Sequence, residues 1–109
     1  LAGLIADVEA MASRGDVEGA GCYNDSVLSG YTDTWNIRFT PGSNYVDLSG
    51  DGDTDLDLYV YGPDGHLVCS SESYYDDEFC SWHQYRTANV RVKIKNLGNV
   101  YNVYDLCTN

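Results

Sequence analysis

The sequence predicts an all-β fold, an antiparallel β-sandwich of about eight strands preceded by a short N-terminal helix or linker. Three observations carry that expectation. From Val27 onward apolar residues recur at alternate positions, the period of a strand that buries one face. Clusters of Gly, Pro, Asn and Asp interrupt the pattern at roughly the 8–12-residue spacing of all-β domains. A chain of 109 residues suits one domain with one core, and half-apolar strands need a second sheet to cover them. A closed barrel is the alternative, and unequal strand lengths favour the sandwich.

Taken in order, Leu1, Leu4, Ile5, Val8 and Met11 recur at helical spacing, which predicts a short amphipathic helix ending near Ser13–Gly15. Residues 14–24, rich in charge and glycine, read as a linker. The expected division is therefore a helical or linker segment over 1–24 and a sandwich over 25–109. Trp35, Ile37 and Phe39 alternate with Asn36 and Arg38, and Pro41-Gly42-Ser43 then turns the chain. Val46 and Leu48 alternate with Tyr45 and Asp47 before the run GDGDTD, and Leu56, Leu58 and Val60 alternate with Asp55, Asp57, Tyr59 and Tyr61. Gly62-Pro63-Asp64-Gly65 is a turn, with φ pre-set by the proline and positive φ open to the glycine. Strands follow over 66–70, 79–85, 89–95 and 100–107, and residues 70–78 form an acidic loop.

Charge and cysteine narrow the function. Seventeen acidic against six basic residues give a formal charge of −11, a field that repels phosphate backbones and disfavours nucleic acid as a partner. It attracts cations, and a bound divalent ion would relieve its self-repulsion. No stretch is long and apolar enough to span a membrane. Cys22, Cys69, Cys80 and Cys107 contain no C-x-x-C pair, so they offer neither a zinc ribbon nor a redox motif. Two disulfides in a secreted or periplasmic protein explain them better than four buried thiols. Of three connectivities, the favoured one joins Cys69 to Cys80 across neighbouring strands and Cys22 to Cys107 at the domain's ends.

Residues 30–109 resemble the bacterial pre-peptidase C-terminal domain family. The likeness lies in YTDTWNIRF at 31–39, LSGDGDTDLDLYVYGPDGHLV at 48–68 and NLGNVYNVYDLCTN at 96–109. The resemblance implies a jelly-roll-like sandwich acting as a non-catalytic accessory module, one that aids secretion, targeting or matrix binding, with calcium in some members. In calcium-binding relatives the N-terminal linker and the strand entering the sandwich share the site. The matching positions here are Asp16, Glu18, Asn24, Asp25 and Asp33.

A second candidate calcium site is the run Asp51, Asp53, Asp55 and Asp57, whose hard oxygens suit Ca²⁺. In an extended chain these side chains stand about 7 Å apart on one face, so one ion needs the loop to bend at Gly50 and Gly52. The alternative is that they cap a tight turn and solvate an outer face. Ten tyrosines are many for this length. Tyr59, Tyr61, Tyr74, Tyr75 and Tyr85 are candidate contacts for an extracellular protein or polysaccharide, or they pair across strands and stabilise the sheet. Arg91, Lys93 and Lys95 form a basic stripe, read as an edge-strand guard or as partners of the aspartates. Asn24-Asp25-Ser26 matches a glycosylation sequon. His66 and His83 lack ligand-spaced partners, and the chain carries neither G-x-S-x-G nor H-E-x-x-H. Catalysis is not expected. The leading expectation is a secreted accessory domain that positions a parent protein or binds an extracellular polymer or protein. A stand-alone periplasmic regulator or inhibitor of an enzyme is the alternative, and an export element the third.

Overall fold

The computed structural model describes residues 13–52 and 55–109, with the side chains of 13–16 and 18 left aside. The helix expected over the first residues lies outside this range. The described residues form nine strands: β1 (Ser13–Glu18), β2 (Cys22–Val27), β3 (Thr32–Phe39), β4 (Gly42–Ser49), β5 (Leu56–Tyr61), β6 (Leu67–Ser71), β7 (Asp77–Gln84), β8 (Ala88–Asn96) and β9 (Asn102–Thr108). They build a jelly-roll-like sandwich of a five-stranded sheet, ordered β1-β3-β8-β5-β6, and a four-stranded sheet, ordered β2-β9-β4-β7. All pairings are antiparallel except β1 with β3.

Residues 14–24, expected as a linker, contribute β1 and the start of β2 instead. β1 lies parallel to β3 with Val17 beside Ile37, and Val17 and Tyr23 pack on the core. Too few apolar residues separate the charges here for a two-residue period to stand out, yet pairing with an existing strand satisfies the backbone all the same.

Alternation decides which side chains enter. Trp35, Ile37 and Phe39 of β3, Val46 and Leu48 of β4, Leu56, Leu58 and Val60 of β5, and Val90, Val92 and Ile94 of β8 are all buried, together with Tyr104 and Leu106 of β9. Removing one such side chain, as in Leu→Ala, typically costs about 2–5 kcal/mol. A polar chain crosses this core. Trp35 Nε1–H donates to the Tyr104 hydroxyl at 2.9 Å, and that hydroxyl donates to Asp33 Oδ2 at 2.6 Å. Asp33 and Trp35 lie on β3 and Tyr104 on β9, so the chain ties one sheet to the other.

Both favoured disulfides are present, and no described cysteine is free. Cys22 and Cys107 are direct cross-strand partners on β2 and β9, with Cα atoms 4.0 Å apart. Cys69–Cys80 does not pin a hydrogen-bonded pair as expected. β6 and β7 are consecutive in sequence but lie in different sheets, so this bond joins the two sheets along one side of the sandwich. The edge-guard reading of Arg91, Lys93 and Lys95 is also overturned, because β8 is the middle strand of its sheet.

The turns follow their residues. Gly65 N–H donates to Gly62 O at 3.0 Å, and Gly65 takes φ +86°. Gly50 is required by space: a Cβ there would stand 2.2 Å from Asp76 Oδ2.

Tyr104→Phe removes the middle of the buried polar chain and leaves the Trp35 N–H without its acceptor. It should cost about 1–3 kcal/mol and lower the melting temperature by roughly 5 °C or more. Urea unfolding and calorimetry check both values.

Candidate metal centre and binding surfaces

The acidic run divides in the folded chain. Asp51 turns toward β9: its N–H donates to Asn102 Oδ1 at 3.1 Å, and its Oδ2 accepts from Val103 N–H at 2.9 Å. Asp53 lies outside the described residues. Asp55 and Asp57 instead meet Glu78, the second residue of β7, with one carboxylate oxygen from each lying within 4.8 Å of the others. The β6–β7 connection makes this meeting possible. Ser73 N–H and its hydroxyl donate to Glu78 Oε1 at 2.7 and 2.6 Å, and the Ser71 hydroxyl donates to Oε2. On the other side, Leu97 N–H donates to Asp55 O at 2.9 Å and fixes the entry to β5.

Glu78 is a site residue that sequence reasoning missed. It falls in the segment expected as an acidic loop, and only the fold brings it to a strand more than 20 residues away. Asp57 and Glu78 are both about 4% exposed. Burial and the neighbouring Glu78 raise the Asp55 carboxyl above its usual range, and burial and Asp55 do the same for Asp57. Tyr59, whose hydroxyl donates to Asp57 Oδ2 at 3.2 Å, is pushed up to about 12 by burial and by the Asp57 charge. Asp55 Oδ1 is buried with no hydrogen-bond partner.

This donor set fits a calcium ion. Two oxygens bound at about 2.4 Å can be at most about 4.8 Å apart, and Ca²⁺ accepts six to eight oxygen ligands with loose geometry. Three carboxylates supply three to six of them. Burial first and the like charges second raise the carboxyls of Asp55 and Asp57, and a cation would complete the orphaned oxygen.

Of the other expected calcium set, the side chains of Asn24, Asp25 and Asp33 are described. Asp25 and Asp33 do approach Tyr104: Asp25 is its cross-strand partner, and Asp33 takes its hydroxyl proton in a hydrogen bond. Burial first and the Asp33 hydrogen bond second drive the Tyr104 phenol well above its usual range. Asn24, the next residue on β2, is exposed, and its amide donates to Tyr104 O and Asp105 Oδ1. The side chains of Asp16 and Glu18 lie outside the description. Their backbones pair with Asn36 and Arg38 in the five-stranded sheet.

The tyrosines fall into two groups. Tyr59 and Tyr61 lie on the outer face of β5 as expected, but they are half-buried and engaged, Tyr59 with Asp57 and Tyr61 beneath Lys93 Nζ at 5.3 Å. Tyr74, Tyr75 and Tyr85 are 94%, 76% and 88% exposed, which leaves their rings free for contact. Tyr85 borders a cleft of about 520 Å³ between the β5–β6 turn and the β7–β8 loop. Its walls include Pro63, Val68, Trp82, His83, Tyr85 and Arg86. Gln84 sets this loop, its amide donating to Phe39 O and Arg86 O while its Oε1 accepts from Trp82 Nε1. The His83 and Tyr85 rings meet edge to face at 4.9 Å. On the outside of the four-stranded sheet Tyr45 and Phe79 stack at 5.9 Å, a pair not anticipated from sequence.

No helix of the described residues is long and apolar enough to cross a membrane. No protein-family model and no curated protein sequence matches the chain. Among solved structures it is similar to the pre-peptidase C-terminal domain of a collagenase from Bacillus anthracis, with a TM-score of 0.74 at 7% identity, covering 89% of this chain and 94% of that one. It is also similar to a periplasmic inhibitor of g-type lysozyme from Aeromonas hydrophila, with a TM-score of 0.59 at 8% identity, covering 87% and 100%. A family 6 carbohydrate-binding module gives 0.51 at 12% identity, covering 85% and 95%. At these identities the likeness is one of fold, and the fold they share is the sandwich described above.

Proposed function

We propose that this chain is a secreted or periplasmic, non-catalytic binding domain of the pre-peptidase C-terminal type, stabilised by calcium and directed at an extracellular protein or polysaccharide. The observation that carries the binding reading is the cleft beside Tyr85. Rigid rings with polar tips flank an opening of about 520 Å³, inside the roughly 300–1,000 Å³ range of ligand pockets. The exposed Tyr85 ring gives up little conformational entropy on contact. The proteins similar in fold include a C-terminal domain of a collagenase, a lysozyme inhibitor and a carbohydrate-binding module, which supports a binding role over a catalytic one. Two disulfides support an oxidising compartment. Regulation or inhibition of an enzyme is the second reading, favoured by the fold of the lysozyme inhibitor.

For calcium, Asp55, Asp57 and Glu78 are the proposed ligands, in place of the full run from Asp51 to Asp57. The ion would neutralise three crowded carboxylates and clamp β5 to the start of β7, and so brace one sheet against the other.

Millimolar Ca²⁺ should raise the melting temperature, since binding the folded chain at a hundredfold excess over Kd adds about 2.7 kcal/mol. Asp55→Asn with Glu78→Gln should abolish that response, and an unmoved transition in the unaltered chain would end the calcium reading. A proton can substitute for the metal here. Because Asp55 and Asp57 are raised when folded, the metal-free chain holds their contribution below the ordinary aspartate value of 3.8 and loses it as pH climbs through the raised values. Asp55→Asn should flatten that decline in a melting-temperature profile against pH. For the cleft, pull-down on insoluble collagen, chitin and peptidoglycan should retain the chain on one of them. Tyr85→Ala should weaken that retention about tenfold without shifting the melting temperature. Retention on none of the three, or equal retention of the variant, counts against the cleft.

A further inference from the structure

The strongest unassigned feature is the outer face of the five-stranded sheet. The chain has only six basic residues in a net charge of −11, and four of them, Arg38, Arg91, Lys93 and Lys95, project from this one face. The register shows how they are set. Arg91 stands between Asn36 of β3 and Tyr61 of β5, and Lys93 between Thr34 and Tyr59, so the cross-strand neighbours of both are neutral. Lys95 differs, standing opposite Asp57, and Arg38 has Glu18 in register on β1. The middle of the stripe is therefore not explained by pairing with aspartates. Among the described residues none of these four cations forms an ion pair, and the amides of Asn36 and Asn89 make no side-chain hydrogen bond. A groove of about 450 Å³ opens at this position, lined by Asn36, Tyr61, Gly62, Asn89, Arg91 and Lys93. Lys93 Nζ lies 5.3 Å from the centre of the Tyr61 ring, a contact that holds the cation over the groove wall.

We infer that this groove binds a carboxylate-bearing saccharide, an oligomer of uronic acid residues. The planar fork of Arg91 can take a carboxylate through two parallel hydrogen bonds, with Lys93 adding a point charge beside it. Asn36 and Asn89 each offer both a donor and an acceptor, which is what sugar hydroxyls need. The edge of the Tyr61 ring supplies an apolar wall for the C–H face of a pyranose. An acidic peptide would satisfy the cations, and its backbone would pair with the amides, but it lacks a pyranose C–H face for the Tyr61 wall. A polyphosphate chain, with a higher density of charge than an oligouronate, would meet the surrounding negative field more strongly and has no C–H face for Tyr61. The groove is distinct from the cleft beside Tyr85, with the Gly62–Gly65 turn between them, and the inference does not rest on the reading of that cleft.

The test is titration of the full chain with trigalacturonate, read by calorimetry and by chemical-shift changes at the Tyr61 ring, beside the fully methyl-esterified trimer, triglutamate and inorganic phosphate. Trigalacturonate should bind and shift the Tyr61 signals, while the ester, the peptide and phosphate should bind at least tenfold more weakly. Arg91→Gln should weaken trigalacturonate binding about tenfold or more, the scale of a lost charge-assisted contact. Lys95→Gln and Tyr85→Ala should change it less than twofold. Arg91 is exposed, and an unchanged melting temperature confirms that its variant folds. No binding by the unaltered chain, equal binding of the ester or of triglutamate, or an unaffected Arg91→Gln variant would each overturn the assignment.

Discussion

Because the chain passes from one sheet to the other at every connection except β5–β6, each strand relies on the opposite sheet to bury its inner side chains. Strand pairing supplies the hydrogen bonds, but the apolar face shared between the sheets supplies the reason to stay paired. A one-residue slip in any strand would turn its apolar set outward. The buried Trp35–Tyr104–Asp33 chain resists such a slip, because its donors and acceptors match in only one register. The Cys69–Cys80 bond holds the same relation covalently on the far side of the sandwich.

Where burial imposes a period, the fold was legible from the residues. The runs around Trp35, Leu56 and Val92 alternate cleanly because one face of each is fully covered, and the turn at 62–65 declares itself through proline and glycine chemistry. β1 was not legible. Its backbone pairs along the edge of β3 and Val17 is its one aliphatic residue on the core, and backbone pairing leaves no trace in composition. The site was half legible for a related reason. Asp55 and Asp57 stand out as an acidic pair, but which carboxylate completes them depends on where the β6–β7 crossing lands. Local spacing placed Asp51 with them, and the fold gave its carboxylate to the Val103 N–H instead.

The distribution of charge is as informative as its sum. Acidic side chains crowd the 50–57 and 72–78 segments, whereas the cations gather on the outside of the five-stranded sheet. At physiological salt a field decays within about 8 Å, so an approaching ligand senses the local face rather than the net charge. A protein of net charge −11 can thus hold a cation at one position and an anion at another. The Gly62–Gly65 turn separates the anion groove from the aromatic cleft, and it forms a wall of both. One ligand long enough to cross the turn could engage the two together, and the second contact would then form at a high effective concentration.

The Cys22–Cys107 bond has a mechanical consequence. These residues face each other on β2 and β9, and Ala20 N–H, just before the bond, donates to Asn109 O, just after it. Tension applied to the chain on either side of the pair runs through the sulfur atoms and bypasses the 85-residue separation they enclose. Strands β3 to β8 would carry no load while the bond is intact, and only β1, on the N-terminal side of Cys22, could be peeled away. Oxidised, the domain behaves under strain as a short covalent link with a folded body hanging from it. Reduced, the same pull would begin by unzipping β2 from β9.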